Sequence, residues 1–169
     1  MTESCTNKSI RVLDIRYGTS VDGTGLRTSI YCSGCENRCE GCHNPQSWDE
    51  AAGEEMSVDE LFGRIVEADM NVTFTGGDPM LRPEGFCHLA RLIKSRTDKT
   101  IWCYTGYMFE DVMRNPARRA LAELCDVIVD GRFVESERDL SLRFKGSRNQ
   151  RIIDVSESLR CGCIIELEL

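Results

Sequence analysis

Residues 27–42 have the sequence RTSIYCSGCENRCEGC, in which a strand-forming segment leads directly into a loop with three cysteines. Cys35, Cys39 and Cys42 are spaced CxxxCxxC within this loop. Three thiolates on one short loop can hold three irons of a cubane iron–sulfur cluster, and the fourth iron is then open to a substrate. The spacing therefore predicts a cluster that takes part in chemistry as well as storing an electron.

The same region permits one other metal centre, a structural zinc site. With Cys32 included, four cysteines lie within eleven residues, and zinc prefers four thiolates in a tetrahedral array. Zinc sites usually place two cysteine pairs on separated turns, so we favour the iron–sulfur cluster. Cys32 is then assigned to the end of the preceding strand.

Strand-forming and amphipathic helical segments alternate along the rest of the chain, which predicts a parallel α/β sheet. The predicted strands cover residues 11–15, 27–32, 71–75, 100–104, 126–130, 152–155 and 164–167, and the predicted helices begin near residues 58, 83 and 116. A closed eight-unit barrel usually needs about 250 residues. The 169 residues of this chain therefore predict one domain, 1–169, with an incomplete, open β/α barrel.

The loops that follow the predicted strands carry the most distinctive residues of the chain. They are the cysteine loop at 35–42, GGDP at 76–79, YTG at 104–106 and DG at 130–131. In open α/β sheets, ligands collect at the carboxyl ends of the strands. The sequence therefore predicts that these four loops form one rim around a binding site.

Composition excludes several classes of protein. A hydrophobic content of 41% is sufficient for a single core. No apolar run approaches the roughly 20 residues that a membrane span needs, and residues 1–8 are polar rather than a signal peptide. A net charge of −7 argues against nucleic acid as a partner. We therefore expect a cytoplasmic protein with no membrane and no nucleic-acid partner.

The other cysteines among the ten in the chain fall into two groups. Those inside apolar segments are predicted to be core residues, namely Cys87, Cys103 and Cys125. Those near the termini are Cys5, Cys161 and Cys163. The Cys161-Gly162-Cys163 sequence permits a metal ligand, a redox pair or no function.

Positive charge is concentrated in residues 132–151. This segment carries six bases and three acids, a balance of +3, which leaves −10 for the rest of the chain. The bases are Arg132, Arg138, Arg143, Lys145, Arg148 and Arg151. The segment is either a solvated loop or a docking surface for an acidic partner or an anionic cofactor.

In its motifs the chain resembles the radical S-adenosylmethionine superfamily. The resemblance lies in the cysteine triple after an early strand, in NP at 44–45 and in GGDP at 76–79. Within that superfamily, the chain is similar to the enzymes that activate anaerobic ribonucleoside-triphosphate reductases. The motifs that carry this similarity are TGLR at 24–27, CHNP at 42–45, TGGDP at 75–79, YTGY at 104–107 and GSRNQR at 146–151.

The resemblance implies a radical enzyme with two cofactors. Cys35, Cys39 and Cys42 would bind three irons of a [4Fe–4S] cluster and so carry the chemistry, and S-adenosyl-L-methionine would chelate the fourth. An electron from a low-potential donor of flavodoxin or ferredoxin type would cleave this cofactor to a 5′-deoxyadenosyl radical. The radical would take a hydrogen atom from a glycine in the large subunit of the anaerobic ribonucleoside-triphosphate reductase, which an open barrel would admit.

The resemblance also implies which residues contact S-adenosylmethionine. They are Gly41, Cys42, His43, Gly76, Gly77 and Asp78, and the strand ends add Thr105 and Asp130 as candidates. The superfamily often has an aromatic residue where this chain has Gly41, so His43 is the candidate for packing on the adenine. Gly76 and Gly77 permit close approach of the backbone to the methionyl end, and Asp78 can accept from its ammonium group. Thr105 and Asp130 are candidates for binding ribose hydroxyls or a cation.

Two alternative functions remain at this point. The first is an activase for another glycyl radical enzyme, of the pyruvate formate-lyase type, which the DGTGLR sequence at 22–27 also resembles. The second is a zinc-stapled interaction module without catalysis. The identity of the bound metal separates this module from either activase.

Overall fold

The computed structural model describes residues 9–169, which contain one seven-stranded sheet and its helices. Cys5 and the polar segment 1–8 lie outside the described residues. The strands are β1 (Ser9–Thr19), β2 (Arg27–Cys32), β3 (Glu54–Ser57), β4 (Asn71–Gly76), β5 (Ile101–Tyr104), β6 (Val127–Asp130) and β7 (Arg151–Asp154). The helices are α1 (Val58–Ala68), α2 (Pro83–Arg96), α3 (Phe109–Arg114), α4 (Pro116–Ala122) and α5 (Val155–Cys161), with 3₁₀ turns at Pro45–Ser47 and Glu135–Glu137.

The sheet is mixed and open, with strand order β3-β1-β2-β4-β5-β6-β7. Strands β2, β4, β5 and β6 run parallel, as predicted. Strand β1 is antiparallel to β2 and β3, and β7 is antiparallel to β6, so the predicted parallel arrangement is confined to the four central strands. The α/β class and the open sheet are confirmed, while the radical-S-adenosylmethionine type of barrel stays a prediction.

Local sequence explains where the helices begin. Ser57 Oγ accepts a hydrogen bond from Glu60 N, which caps α1 as predicted. Asn115 caps α4 in the same way, and proline occupies the first helical position of both α2 and α4. The three helices predicted from the sequence are therefore confirmed at their start points.

The largest core lies between the sheet and the helices. Phe74 of β4 packs on Phe86 of α2 with ring centroids 4.8 Å apart. Cys87, Cys103 and Cys125 are buried in this core, which confirms their structural assignment. A smaller cluster on the other face of the sheet contains Trp102, Val127, Val129 and Ile152, with Tyr104, Phe144 and Leu167 against it.

The start of β2 is held by a buried arginine. Arg27 has no exposed surface, and its guanidinium donates to Thr73 Oγ1 and to the carbonyl of Val72, each at 2.7 Å. Its guanidinium carbon also lies 5.5 Å from the centroid of the Trp102 ring. Burial lowers the pKa of Arg27 to about 10. Arg27, in the TGLR motif, therefore ties together three parallel strands at their amino ends.

The carboxyl terminus departs from the prediction. Residues 164–167 do not form a strand; only Glu166 makes a single bridge, to Ile153. Asp154 ends β7 and accepts from Glu157 N, so the chain turns into α5, which the sequence analysis missed. The short elements β3 and α3 were not predicted either, because neither has a long enough periodic apolar pattern.

Candidate metal centre

The cysteine loop begins where β2 ends, at the carboxyl edge of the parallel strands. Gly77 N donates to the carbonyl of Cys32 at 2.7 Å, and Asp78 N donates to that of Gly34 at 2.8 Å. These bonds join the start of the loop to the turn that follows β4. The CxxxCxxC loop and the GGDP turn are therefore in direct contact, as the predicted rim requires.

Both glycines of this turn are required by close packing. Gly76 has φ +99°, and a Cβ on Gly77 would lie 2.4 Å from the carbonyl oxygen of Gly34. Only glycine fits such an approach without displacing the backbone. We predicted that these glycines allow a ligand to approach. The close approach that the structure describes is to the cysteine loop itself.

The three predicted ligands differ from the neighbouring cysteine. Cys35, Cys39 and Cys42 are partly exposed, whereas Cys32 is 2% exposed and belongs to the main core. Burial raises the pKa of the Cys32 thiol well above its usual range, which disfavours the thiolate form that a metal needs. Cys32 is therefore a core residue at the strand end, as predicted.

The loop also supplies hydrogen-bond donors to its own sulfurs. Asn44 N lies 3.4 Å from Cys42 Sγ, and Asn37 Nδ2 lies 3.7 Å from Cys35 Sγ. Such N–H donors stabilise the negative charge of cluster-bound thiolates. In residues 9–169, no three His, Cys, Asp or Glu side chains are grouped so that they could hold one metal ion. A cubane instead spreads its three thiolate ligands over three irons, so the donor set fits a [4Fe–4S] cluster.

Asp78 lies at the centre of the rim and is buried. Its Oδ2 accepts from Asn37 Nδ2 at 3.0 Å and from Gly106 N at 2.9 Å, and its Oδ1 accepts from Thr105 Oγ1 at 2.9 Å. Met80 N donates to Oδ1 as well, at 3.0 Å. Burial raises the pKa of Asp78, and these donors oppose that rise. The carboxylate thereby joins the loops after β2, β4 and β5.

Asp130, at the end of β6, also has internal partners. It is fully buried and accepts from Arg151 Nε at 3.0 Å and from Phe109 N at 2.7 Å. Arg151 reaches Glu110 as well. The structure thus places Thr105 and Asp130 at successive strand ends, as predicted, with both side chains bonded within the chain.

Residues 131–150, which connect β6 to β7, cross over the cysteine loop; we call them the strap. Arg132 Nε donates to Asn37 Oδ1 at 3.0 Å, and the Phe133 ring centroid lies 5.4 Å from that of His43. Glu135 packs against Gly41: a Cβ on Gly41 would lie 2.8 Å from the carboxyl carbon of Glu135. These contacts were not predicted, because they join segments about 95 residues apart and leave no local pattern in the sequence.

A cavity of about 460 Å³ opens beside His43 on the face of the sheet that the strap covers. Its walls include Asp22, Tyr104, Phe144 and Lys145. Tyr104 donates through its hydroxyl to the carbonyl of Phe144 at 2.8 Å, which fixes the strap to β5. Asp22 and Phe144 were not predicted as site residues.

Cys161 and Cys163 lie near the amino ends of the parallel strands, opposite the end that carries the cysteine loop. Because β7 is antiparallel to β6, Asp154 pairs with Val127 at the amino end of β6. Helix α5 starts from Asp154 and ends at Cys161, which forms a disulfide with Cys163. This position excludes the pair as ligands to a cluster held by the cysteine loop.

In the described part of the chain, no helix is long and apolar enough to cross a membrane.

Comparison with known proteins identifies relatives that also contain an iron–sulfur cluster domain or activate a reductase. The family described as a 4Fe-4S single cluster domain matches residues 21–153. The anaerobic ribonucleoside-triphosphate reductase-activating protein of Haemophilus influenzae is 33% identical over 147 residues, covering 80% of this chain and 93% of that protein. The proteins of the same description from Escherichia coli K12 and Enterobacteria phage T4 are 31% and 33% identical, covering 77% and 78% of this chain and 89% and 86% of theirs.

Proposed function

The chain belongs to the family of anaerobic ribonucleoside-triphosphate reductase-activating proteins, and we propose that it generates the glycyl radical of that reductase. The observation that carries the proposal is the position of three partly exposed cysteines, on one loop at the carboxyl edge of the parallel strands, next to an open cavity. Three thiolates at the carboxyl ends of the strands would hold a cluster where a second cofactor and a loop of a partner protein can both reach it.

We propose that Cys35, Cys39 and Cys42 hold a [4Fe–4S] cluster. When bound, this cluster would supply the electron for cleavage of S-adenosyl-L-methionine, the chemistry from which the glycyl radical of the reductase large subunit would arise. Asn37 and Asn44 donate N–H bonds to two of the sulfurs. The external electron comes from a low-potential protein donor of flavodoxin or ferredoxin type.

We further propose that S-adenosylmethionine lies between the GGDP turn and the cavity beside His43. Gly41, Cys42, His43, Gly76 and Gly77 are the proposed direct contacts. Asp78 is proposed to hold the GGDP turn in place for these contacts rather than to accept from the ammonium group, because it is 3% exposed and four internal donors already occupy its oxygens. Thr105 and Asp130 act behind these residues: Thr105 orients Asp78, and Asp130 holds the end of the strap through Arg151.

The exposed end of the strap is the proposed docking surface for the reductase. Leu140 is 83% exposed, and Arg138 and Arg143 are exposed beside it in the sequence. Other bases of residues 132–151 have internal partners: Arg148 pairs with Asp139, and Lys145 donates to the carbonyl of Gln150. The docking surface is therefore smaller than the basic segment, with an apolar side chain among positive charges that favours an acidic partner.

The experiment that tests the function is electron paramagnetic resonance on the anaerobically reconstituted, dithionite-reduced protein, with and without S-adenosylmethionine. A reduced [4Fe–4S] signal that changes on addition of the cofactor supports the proposal. Incubation with the reductase large subunit should then produce a glycyl radical doublet. Zinc in place of iron would support an interaction module. Radical formation on pyruvate formate-lyase, and none on the reductase, would support the other activase class.

A further inference from the structure

Asn37 lies between Cys35 and Cys39 and is 9% exposed. Its side chain contacts three different parts of the site. Nδ2 lies 3.0 Å from Asp78 Oδ2 and 3.7 Å from Cys35 Sγ, and Oδ1 lies 3.0 Å from Arg132 Nε. The amide thus links the cysteine loop to the turn after β4 and to the first residue after Gly131 in the strap.

The two charged partners determine the orientation of this amide. An arginine side chain can only donate hydrogen bonds, so it requires the oxygen of Asn37. An ionised carboxylate can only accept, so Asp78 requires the nitrogen. If the amide were rotated by 180°, its NH₂ group would face the N–H of Arg132, and its oxygen would face the carboxylate of Asp78. Arg132 and Asp78 therefore hold the N–H groups of Asn37 on the side of Cys35.

We infer that Asn37 is a positioning residue, oriented by Arg132, that tunes the reduction potential of the cluster through Cys35. The inference rests on the ligand assignment in the proposed function. An N–H donor to a ligating sulfur stabilises the additional negative charge of the reduced cluster and so raises its reduction potential. Arg132 acts in this scheme by keeping the donor in place. The start of the strap is then part of the electronic environment of the cluster.

The experiment is a redox titration followed by electron paramagnetic resonance on the reconstituted full-length protein, with iron content measured on the same samples. Asn37→Leu removes the amide at similar volume, and Arg132→Leu leaves the amide but removes the group that orients it. Both variants should shift the midpoint potential to more negative values at unchanged iron content. In the double variant the two shifts should not add, because both act through one N–H···S contact.

Arg38→Leu is the matched control, since it removes one positive charge from an exposed side chain in the same loop. Its shift should be smaller than that of Arg132→Leu, because both charges are exposed and screened by solvent and salt, whereas only Arg132 orients the Asn37 amide. Equal shifts in these two variants, or additive shifts in the double variant, would overturn the inference.

Three further outcomes are decisive. If Asn37→Leu fails to retain iron, Arg132→Leu decides alone: a negative shift larger than that of Arg38→Leu supports the inference, and an unchanged potential overturns it. Full iron loading with unchanged potentials in every variant overturns the inference and leaves the proposed function standing. Absence of iron from the unsubstituted protein would instead overturn the proposed function itself.

Discussion

Arg151 Nη2 lies 2.5 Å from Asp130 Oδ2, and this ion pair fastens the end of the strap to the end of β6. Asp130 is completely buried, and the Arg151 side chain is 19% exposed. A buried carboxylate is stable only while a cation and hydrogen-bond donors compensate for its lost hydration. The pair therefore determines where the strap returns to the sheet as β7, beside the proposed site.

Removal of Arg151 should destabilise the fold. Arg151→Met leaves the Asp130 carboxylate buried without its cation, and we expect a loss of about 3–5 kcal/mol in the free energy of unfolding. Urea denaturation followed by circular dichroism measures this loss. The double variant Arg151→Met/Asp130→Asn should recover a large part of it, because no buried charge is then left unpaired; Glu110, the other partner of Arg151, is exposed to solvent. A loss below about 1 kcal/mol in the single variant would contradict the assigned role.

Replacement of one proposed ligand should abolish the cluster without unfolding the protein. Cys39→Ala removes a partly exposed thiol, so the variant should be folded, colourless after reconstitution and unable to cleave S-adenosylmethionine. Cys87→Ala is the matched control, because Cys87 is 5% exposed in the core and should cost only about 1 kcal/mol of packing. Iron content and absorbance at visible wavelengths distinguish the two. Retention of full iron by Cys39→Ala would refute the assignment of this ligand.

Local sequence was sufficient to predict the central strands, the cysteine loop and the core cysteines. Each of these features depends on residues that are close together in the chain, as Cys35 and Cys42 are on one loop. The cap of α1 was predictable for the same reason, because Ser57 caps the helix that it precedes. The direction of the edge strands was not predicted. β1 and β2 are joined by only seven residues, which is too short for the crossover that parallel strands need, so the two strands must be antiparallel.

The contacts that build the site from distant segments could not be predicted. Asn37 and Arg132 are ordinary polar residues in the sequence, and their hydrogen bond exists only because the strap folds back over the cysteine loop. Residues 164–167 show the opposite error. They are apolar enough for a strand, but Leu167 N bonds to the carbonyl of Ile152 from an irregular segment that packs on the sheet.

A single methyl group at Gly106 should disturb the cysteine loop. A Cβ at this position would lie 2.2 Å from Asn37 Nδ2, so Gly106→Ala must displace the Asn37 side chain. We expect reduced iron loading and a negative shift in reduction potential. Gly63→Ala is the control: in α1 its Cβ would meet no atom within 4 Å, and alanine should stabilise the helix by up to about 1 kcal/mol. Equal iron loading and equal potential in the two variants would contradict the packing of Gly106 against Asn37.

Reversal of charge at the exposed end of the strap should weaken binding of the reductase. Arg138→Glu/Arg143→Glu places two negative charges beside Leu140, so the partner should bind at least tenfold more weakly in low salt, with a smaller difference in high salt. Arg64→Glu/Arg96→Glu is the matched control, because it makes the same change in charge on α1 and α2.

Surface plasmon resonance with immobilised reductase measures the affinity of both double variants for the reductase at several salt concentrations. Iron content should stay unchanged in the strap variant, since Arg138 and Arg143 lie outside the cysteine loop. Arg143 lines the cavity beside His43, so cleavage of S-adenosylmethionine without partner is compared in Arg138→Glu alone, where it should stay unchanged. Equal affinity of the two double variants at every salt concentration would show that the reductase does not dock on the strap. A loss confined to the strap variant would assign the basic segment to recognition of an acidic partner surface, because steering of this kind depends on where the charge is located.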